Sequence, residues 1–228
     1  MEVIKRLASR LPLRYQQELK RLYFARLIRK DRFKWAIENE GEFARLEQWV
    51  DPGDWVIDLG ANVGNYVARL SELVKADGRV LAFEPVPQTF ELLAANVARM
   101  PLQNVTLLNL AASDTFTVKR MRMPLLPSGA ANPYMAHLTD GAGETSVLCA
   151  PVDSLDIQHQ VKLVKIDVEG HELAALRGMV RLIRRDRPVL IVEGRSPEVV
   201  ALLDGLGYSF QQDAGSPNRV FECGGKRQ

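Results

Sequence analysis

The chain has 228 residues, 46% of them hydrophobic, and a formal net charge of only +2. This length and composition predict one domain with a full hydrophobic core and room for an appendage. The two cysteines, Cys149 and Cys223, lie far apart in unlike surroundings, which argues against a disulfide scaffold or a cysteine metal site. No apolar stretch approaches the roughly 18–20 residues that span a bilayer, and the beginning of the chain lacks the apolar core of a secretory signal. We therefore expect a cytoplasmic protein, soluble or peripheral to the inner face of a membrane.

Positive charge is concentrated in the first 35 residues, which hold eleven basic and three acidic side chains. That segment has a net charge of +8, so the rest of the chain carries −6. Apolar residues recur at helical spacing on both sides of Pro12, which predicts two amphipathic helices. We therefore divide the chain into a basic helical extension, residues 1–50, and a main domain, residues 51–228. The extension includes a further short helix over Gly41–Val50.

The basic extension admits three interpretations. It could pack on the main domain as a cap with a solvated basic face. It could contact an anionic membrane surface, or a lipid-linked substrate, through residues 1–35. Nucleic acid is the least favoured partner, because aromatic residues are not interleaved with the basic ones as single-strand binding requires.

A nucleotide-binding βαβ pattern follows the extension. A short apolar run over Trp55–Ile57 predicts a buried strand, with Asp58 and Gly60 at its end. Gly64 then opens a helix, and a second apolar strand ends in Glu84, twenty residues after Gly64. Strand, glycine turn, helix, strand and acid is the layout in which the acid accepts hydrogen bonds from ribose hydroxyls.

The glycine spacing distinguishes between nucleotide classes. The turn reads Gly60-Ala-Asn-Val-Gly64, so polar Asn62 stands where close phosphate approach would favour glycine, and no basic residue lies in the loop. This pattern favours a phosphate-free nucleoside, S-adenosylmethionine, over a dinucleotide such as NAD. The alternative is a tight strand–helix turn without a ligand.

The rest of the main domain alternates between helix and strand patterns. Helices are predicted from Gly64 to about Val74 and over Pro87–Arg99, Glu172–Arg184 and Glu198–Leu206; strands over Val105–Leu110, Val161–Ile166 and Val189–Val192; and a terminal hairpin over Tyr208–Gln211 and Arg219–Glu222. Residues 121–146 are rich in Pro, Gly, Ala and Asn, which predicts a long loop or an inserted hairpin.

Repeated βα units predict an α/β fold with a mostly parallel central sheet, helices on both faces and a C-terminal antiparallel hairpin. Four acids, Asp58, Glu84, Asp167 and Glu193, fall at the predicted carboxyl ends of strands. Ligands bind at that edge of open α/β sheets, so the four acids indicate a single cleft.

Five segments, in this order, resemble the FkbM-type family of S-adenosylmethionine-dependent methyltransferases: "VIDLGANVGNY", "AFEPVPQTFELLAANV", "NVTLLNLAASD", "PVDSLDI" and "VKLVKIDVEGHELAALRGM". The resemblance runs from about Phe43 to about Glu193. It implies a Rossmann-like class I methyltransferase fold, S-adenosylmethionine as cofactor, and O-methylation of a sugar hydroxyl in a glycan, glycolipid or secondary metabolite.

Other functions are less favoured. Asn132-Pro133-Tyr134 is similar to a motif of enzymes that methylate amino groups, but it precedes the fourth strand instead of following it, which argues against a nitrogen or nucleic-acid acceptor. The missing G-x-G-x-x-G motif argues against an NAD-dependent oxidoreductase. A non-catalytic cofactor-binding scaffold, docked through its basic extension, is disfavoured by the full set of strand-end acids.

Seven residues are candidates for holding the cofactor. By the resemblance, Asp58 faces its ammonium, Gly60, Asn62 and Gly64 contact its methionine portion, Glu84 binds the ribose, and Ser113 and Asp114 edge the adenine. Ser113 and Asp114 could instead cap the next turn, as Ser and Asp near strand ends often do.

Catalysis is predicted at the end of the fourth strand. A hydroxyl acceptor needs a base to take its proton or a metal to lower its pKa. The base could be His171, or it could be Asp167 or Glu169. Alternatively Asp167, Glu169 and Glu193 could bind Mg²⁺ through carboxylate oxygens. Strand alternation places Lys165 on the same side as Asp167 and Glu169, where it can keep one carboxylate ionised.

Deleting residues 1–30 is expected to reduce sedimentation of the protein with anionic liposomes, because the extension carries most of the excess positive charge. Co-sedimentation of the full chain and the deletion variant, with neutral liposomes as control, measures the effect. Equal sedimentation of both proteins would instead support the cap interpretation.

Overall fold

The computed structural model describes residues 40–124, 135–211 and 216–224, which form eleven strands and five α-helices. The strands are β1 (Trp55–Leu59), β2 (Arg79–Phe83), β3 (Val105–Leu108), β4 (Ala111–Ala112), β5 (Thr117–Arg122), β6 (His137–Thr139), β7 (Thr145–Ala150), β8 (Val161–Ile166), β9 (Val189–Glu193), β10 (Tyr208–Gln211) and β11 (Asn218–Cys223). The helices are α1 (Asn65–Val74), α2 (Pro87–Val97), α3 (Glu172–Arg177), α4 (Val180–Asp186) and α5 (Pro197–Gly205), with 3₁₀ helices at Phe43–Gln48 and Val152–Leu155.

The central sheet has seven strands in the order β10-β11-β9-β8-β1-β2-β3. Strands β9, β8, β1, β2 and β3 are parallel, and the hairpin of β10 and β11 joins them antiparallel to β9. This confirms the mostly parallel α/β sheet with a C-terminal antiparallel hairpin.

Both faces of the sheet are buried, as a parallel sheet requires. Val56 of β1 packs in a cluster with Leu70 of α1 on one face, whereas Ile57 packs with Leu176 of α3 and other residues on the opposite face. The alternation along one strand therefore divides the core into two layers, and the strand ends are left to carry the polar groups.

The segment before β1 packs against the sheet. Its predicted helix is a 3₁₀ helix, Phe43–Gln48, and Phe43 is buried with its ring edge-on to that of Tyr66 at 4.8 Å. Glu42 accepts hydrogen bonds from Ser216 and Asn218 beside β11. The basic residues 1–35 lie outside the described residues, and the domain division at residue 50 stays a prediction. Within the part of the chain that the structure describes, every helix is too short or too polar to cross a bilayer.

A second, four-stranded sheet includes parts of residues 121–146, the segment predicted as a long loop or an inserted hairpin. Its order is β4-β7-β5-β6, with β5 antiparallel to β6 and β7, and β4 parallel to β7. Within residues 121–146 the structure describes the end of β5, all of β6 and the beginning of β7, and residues 125–134 lie outside the described part, so the choice between a long loop and an inserted hairpin stays a prediction. Among the six residues of β5 only Met121 is buried, and the exposed residues alternate with partly buried ones. The sequence of this strand therefore shows little of the apolar alternation by which strands are predicted. Asn132-Pro133-Tyr134 lies outside the described residues.

The helix predicted over Glu172–Arg184 is broken into α3 and α4. The break lies at Gly178, whose backbone packs tightly against Ser113. The Asp153 carboxylate accepts hydrogen bonds from the N–H groups of Arg181 and Leu182, at 2.9 and 3.0 Å, and so caps α4 as a new helix. The packing of Gly178 on Ser113 and the cap from Asp153 are both long-range contacts, so helical periodicity in the sequence does not predict this break.

Replacing Gly178 with alanine is expected to destabilise the fold by about 1–3 kcal/mol or more, as overpacking does. A Cβ at this position would lie 1.8 Å from the backbone oxygen of Ser113, and a backbone contact of this kind has little freedom to shift. Chemical denaturation measures the effect. The matched control is Gly205→Ala at the end of α5, where a Cβ meets nothing within 4 Å. Equal stability of the two variants would contradict the tight packing at Gly178.

Candidate active site

The carboxyl ends of β8, β1 and β2 lie side by side and open into one cleft. Among the described residues, those that line it are Gly60, Asn62, Phe83, Glu84, Pro85, Val86, Thr89, Leu110, Ala111, Ala112, Met121, Ala136, Leu138, Asp167, Val168, Glu169 and His171. Of the four strand-end acids predicted to share one cleft, Glu84 and Asp167 are in this lining and Asp58 and Glu193 are not; the cleft brings together six of the ten candidate site residues. Asp58, Gly64, Ser113 and Asp114 are not part of this lining.

Close packing of the loops after β1 and β8 depends on Gly60. Its backbone has φ +84°, and a Cβ would lie 1.7 Å from the carbonyl oxygen of Asp167. The N–H groups of Gly60 and Ala61 both donate to the carbonyl of Phe83, at 3.0 and 2.8 Å. The glycine therefore lets three strand ends meet at one point.

Glu84 connects the loop after β1 to the start of α2. One carboxylate oxygen accepts from the N–H of Asn62 and the other from the N–H of Val86, both at 2.9 Å. The side chain is 5% exposed, and burial raises the pKa of Glu84 to about 7. Each oxygen keeps a second lone pair, so the carboxylate can still accept hydrogen bonds from a ligand in the cleft.

Asp58 lies buried at the end of β1, behind the cleft. Its Oδ2 atom has no hydrogen-bond partner among the described residues, and burial raises its pKa to about 7. The ammonium of Lys165 acts against that increase. Its predicted role toward the cofactor ammonium stays a prediction.

A buried ion pair holds Asp167 at the end of β8. Lys165 Nζ lies 2.9 Å from Asp167 Oδ2 and 4.9 Å from the centre of the Tyr66 ring. Burial alone would raise the pKa of Asp167, but the Lys165 ammonium and hydrogen bonds outweigh it and lower that pKa. The predicted pairing of Lys165 with a strand-end carboxylate is confirmed.

Glu193 and Glu169 complete an acidic cluster around Asp167, with carboxylate oxygens within 4.8 Å of one another. A hydrogen bond with Asp167 and burial raise the pKa of Glu193 to about 8. The spacing also admits a small divalent cation, although acidic groups commonly cluster without one. Mg²⁺ binding stays a prediction.

His171 stands just before α3 and faces the cleft. Burial, and to a smaller extent the charge of Lys119, lower the pKa of His171, so its ring is neutral at neutral pH and able to accept a proton. Its Nε2 atom lies 3.0 Å from Ser113 Oγ, which in turn donates to Asp114 Oδ1 at 3.4 Å. Ser113 and Asp114, predicted to edge the adenine, are thus placed beside a catalytic candidate, and their adenine role stays a prediction.

Sequence reasoning missed the cleft residues that the second sheet provides. Met121, Ala136 and Leu138 form an apolar wall, and no local pattern connects them to β1 or β8. Thr89 was also missed, although its place in the helix after Glu84 could have suggested it.

The comparisons with known proteins agree with this geometry. Residues 58–210 match the model of the methyltransferase FkbM domain. Hexuronic acid methyltransferase AglP of Haloferax volcanii is 29% identical over 149 residues, covering 64% of this chain and 58% of AglP. 31-O-demethyl-FK506 methyltransferase FkbM of Streptomyces tacrolimicus is 29% identical over 193 residues, covering 69% of this chain and 74% of that protein. The chain thus spans less than two thirds of the length of AglP.

Solved structures show the same fold. Methyltransferase FkbM from Methylobacillus flagellatus KT superposes with a TM-score of 0.53 at 17% identity, over 82% of this chain and 59% of that one. A SAM-dependent methyltransferase from Aquifex aeolicus superposes with a TM-score of 0.51 at 15% identity, over 86% of this chain and 95% of that one. Identities this low speak for the fold alone, whereas the family match covers every described residue of the cleft lining, the whole second sheet and most of the parallel strands. The chain belongs to the FkbM methyltransferase family.

Proposed function

We propose that this protein is an S-adenosylmethionine-dependent methyltransferase that methylates a sugar hydroxyl in a glycan, glycolipid or secondary metabolite. One observation carries the proposal: the cleft at the strand ends contains three carboxyl groups, Glu84, Asp167 and Glu169, and no Lys or Arg among its described lining residues. Such a cleft suits a nucleoside that has a positive centre and no phosphate. It does not suit the pyrophosphate of a dinucleotide.

The residues present fit the cofactor. Glu84 is buried with spare acceptor lone pairs beside the glycine turn, where ribose hydroxyls can donate to it. Asn62 has a side-chain oxygen without a partner among the described residues, and it lines the cleft. When bound, S-adenosylmethionine supplies a methyl group on a sulfonium, which is ready for transfer to a nucleophile.

The acceptor class is supported by the relatives. AglP is named for a hexuronic acid, which is a sugar acid, and FkbM of S. tacrolimicus is named for an oxygen of its substrate. The cleft adds an apolar wall, Met121, Ala136 and Leu138, opposite its carboxylates. A sugar ring has an apolar face and hydroxyl groups, so it can pack against the apolar wall and hydrogen-bond to the carboxylates.

Residues at the end of β8 would accept the proton that the acceptor hydroxyl loses. Asp167 is the ionised member of the acidic cluster because Lys165 compensates its charge, so it can accept a hydroxyl proton. A hydrogen bond with Asp167 and burial raise the pKa of Glu193 to about 8, so near neutral pH this carboxyl group is mostly protonated and less available as a base than Asp167. His171, neutral and fixed by Ser113, is a second candidate, and Glu169 is a third. The cleft would also accelerate the reaction by holding the methyl group of the cofactor in line with the acceptor hydroxyl.

The cofactor assignment predicts selective binding. Calorimetric titration should show micromolar affinity for S-adenosylmethionine and S-adenosylhomocysteine and none for NAD. Repeating the titration with magnesium tests the acidic cluster. Transfer of labelled methyl groups to hexuronic acids and neutral sugars then tests the acceptor. A protein that binds neither adenosyl ligand would refute the proposal, and binding with methylation of amines alone would refute the oxygen acceptor.

The raised pKa of Glu84 leads us to expect that cofactor affinity depends on pH. Its pKa of about 7 means that a proton must leave before the carboxylate can accept ribose hydroxyls at full strength, so affinity should fall as pH drops from 8 to 6. Glu84→Gln should reduce the dependence, leaving the part that Asp58 contributes, and Glu84→Ala should weaken binding of S-adenosylhomocysteine by about 1–3 kcal/mol.

Calorimetry at three pH values measures both effects. The control is Glu91→Gln, on the exposed side of α2, which should behave like the wild type. A wild-type affinity that is constant between pH 6 and pH 8 would remove Glu84 from the ribose site.

A further inference from the structure

The hydroxyl of Thr89 is buried in the cleft wall and has no hydrogen-bond partner among the described residues. Thr89 is 2% exposed and lines the cleft. Its Oγ1 atom is one of five buried side-chain polar atoms that have no partner within the described residues. Of these five, only those of Thr89 and Asn62 belong to residues of the cleft lining. Buried hydroxyls in folded proteins are nearly always paired, so this one requires an explanation.

Local structure does not provide the missing partner. Thr89 is the third residue of α2, and the residue that precedes the helix, Val86, offers no side-chain cap. A threonine in a first turn often bonds back to the chain, but no such bond forms here. Valine would fill the same volume without burying a polar group, so packing does not explain the hydroxyl either.

The position of Thr89 relative to Glu84 indicates what it contacts. The N–H of Val86 donates to Glu84, so the beginning of α2 is held against the carboxylate assigned to the ribose. The same cleft lining includes the apolar residues Leu110, Ala111 and Ala112. A lining that combines apolar side chains, a carboxylate and a buried hydroxyl suits the adenosyl half of the cofactor.

We propose that the Thr89 hydroxyl hydrogen-bonds to the adenosyl half of S-adenosylmethionine. This inference rests on the proposed function, because it assigns a contact within the same cofactor site. A hydroxyl can donate and accept at once, so it can serve either a ribose hydroxyl or a ring nitrogen.

The test compares Thr89→Val, which removes the hydroxyl at constant volume, with Thr89→Ser, which keeps it. Calorimetry should give a Kd for S-adenosylhomocysteine that is about five- to tenfold weaker for Thr89→Val, as loss of one hydrogen bond predicts, and about unchanged for Thr89→Ser. The same loss is expected with 5′-methylthioadenosine, which keeps the adenosyl half and lacks the amino acid. Thr106→Val, on an exposed position of β3, is the control and should bind as the wild type does.

Thermal unfolding without ligand separates binding from structure. The Tm of Thr89→Val should equal or exceed that of the wild type, because the variant loses an unpaired buried hydroxyl. A lower Tm with unchanged Kd would overturn the proposal in favour of a structural role. A weaker Kd for S-adenosylhomocysteine alone would overturn the adenosyl assignment. Wild-type protein that binds neither ligand would refute the proposed function itself, whereas wild-type binding with an unaltered Thr89→Val refutes only this inference.

Discussion

The buried ammonium of Lys165 makes the negative charge of this site possible. Burial alone would lower the pKa of Lys165, but the carboxylates of Asp167, Asp58 and Glu40 raise it, so the side chain stays protonated. In return it keeps Asp167 ionised at the edge of the cleft. Removing the ammonium would leave three carboxyl groups without their counter-charge, and some would become protonated. The cation lies behind the cleft, so it compensates the acids without occupying the space in which a ligand binds.

The two sheets give the cleft two chemically different walls. The parallel sheet provides carboxylates because its strand ends converge where the helices begin, and buried parallel strands leave only their ends for polar groups. The smaller sheet provides methyl and thioether groups from Met121, Ala136 and Leu138. The wall from the parallel sheet therefore gives the cleft its negative charge, and the wall from the smaller sheet determines its shape. Substitutions in the second sheet would change the shape of the cleft while the first sheet keeps its carboxylates.

Sequence reasoning worked where the determinants are local. The unit from Trp55 to Glu84 was predicted with its strands, turn and acid because the residues that define its pattern lie within about thirty positions of one another. It did not work for the second sheet, whose β4 and β7 pair Ala111 with Cys149 across an intervening hairpin. It also missed the contact of Ser113 with His171, 58 positions apart. Tertiary packing determines both the β4–β7 pairing and the Ser113–His171 contact, and neither hydrophobic periodicity nor motif spacing predicts such packing.

Contacts between the beginning and the end of the described chain determine when the fold can be completed. Glu42 bonds to Ser216 and Asn218, 174 and 176 positions later, and Trp49 donates to Glu222 across 173 positions. During synthesis the segment before β1 must therefore wait until β11 has left the ribosome. Closure at such sequence distances is slow, because the entropy of a long loop is lost before any contact forms. For most of translation the nascent chain would therefore lack the partners of Glu42 and Trp49, and such incompletely packed states are the ones that chaperones bind.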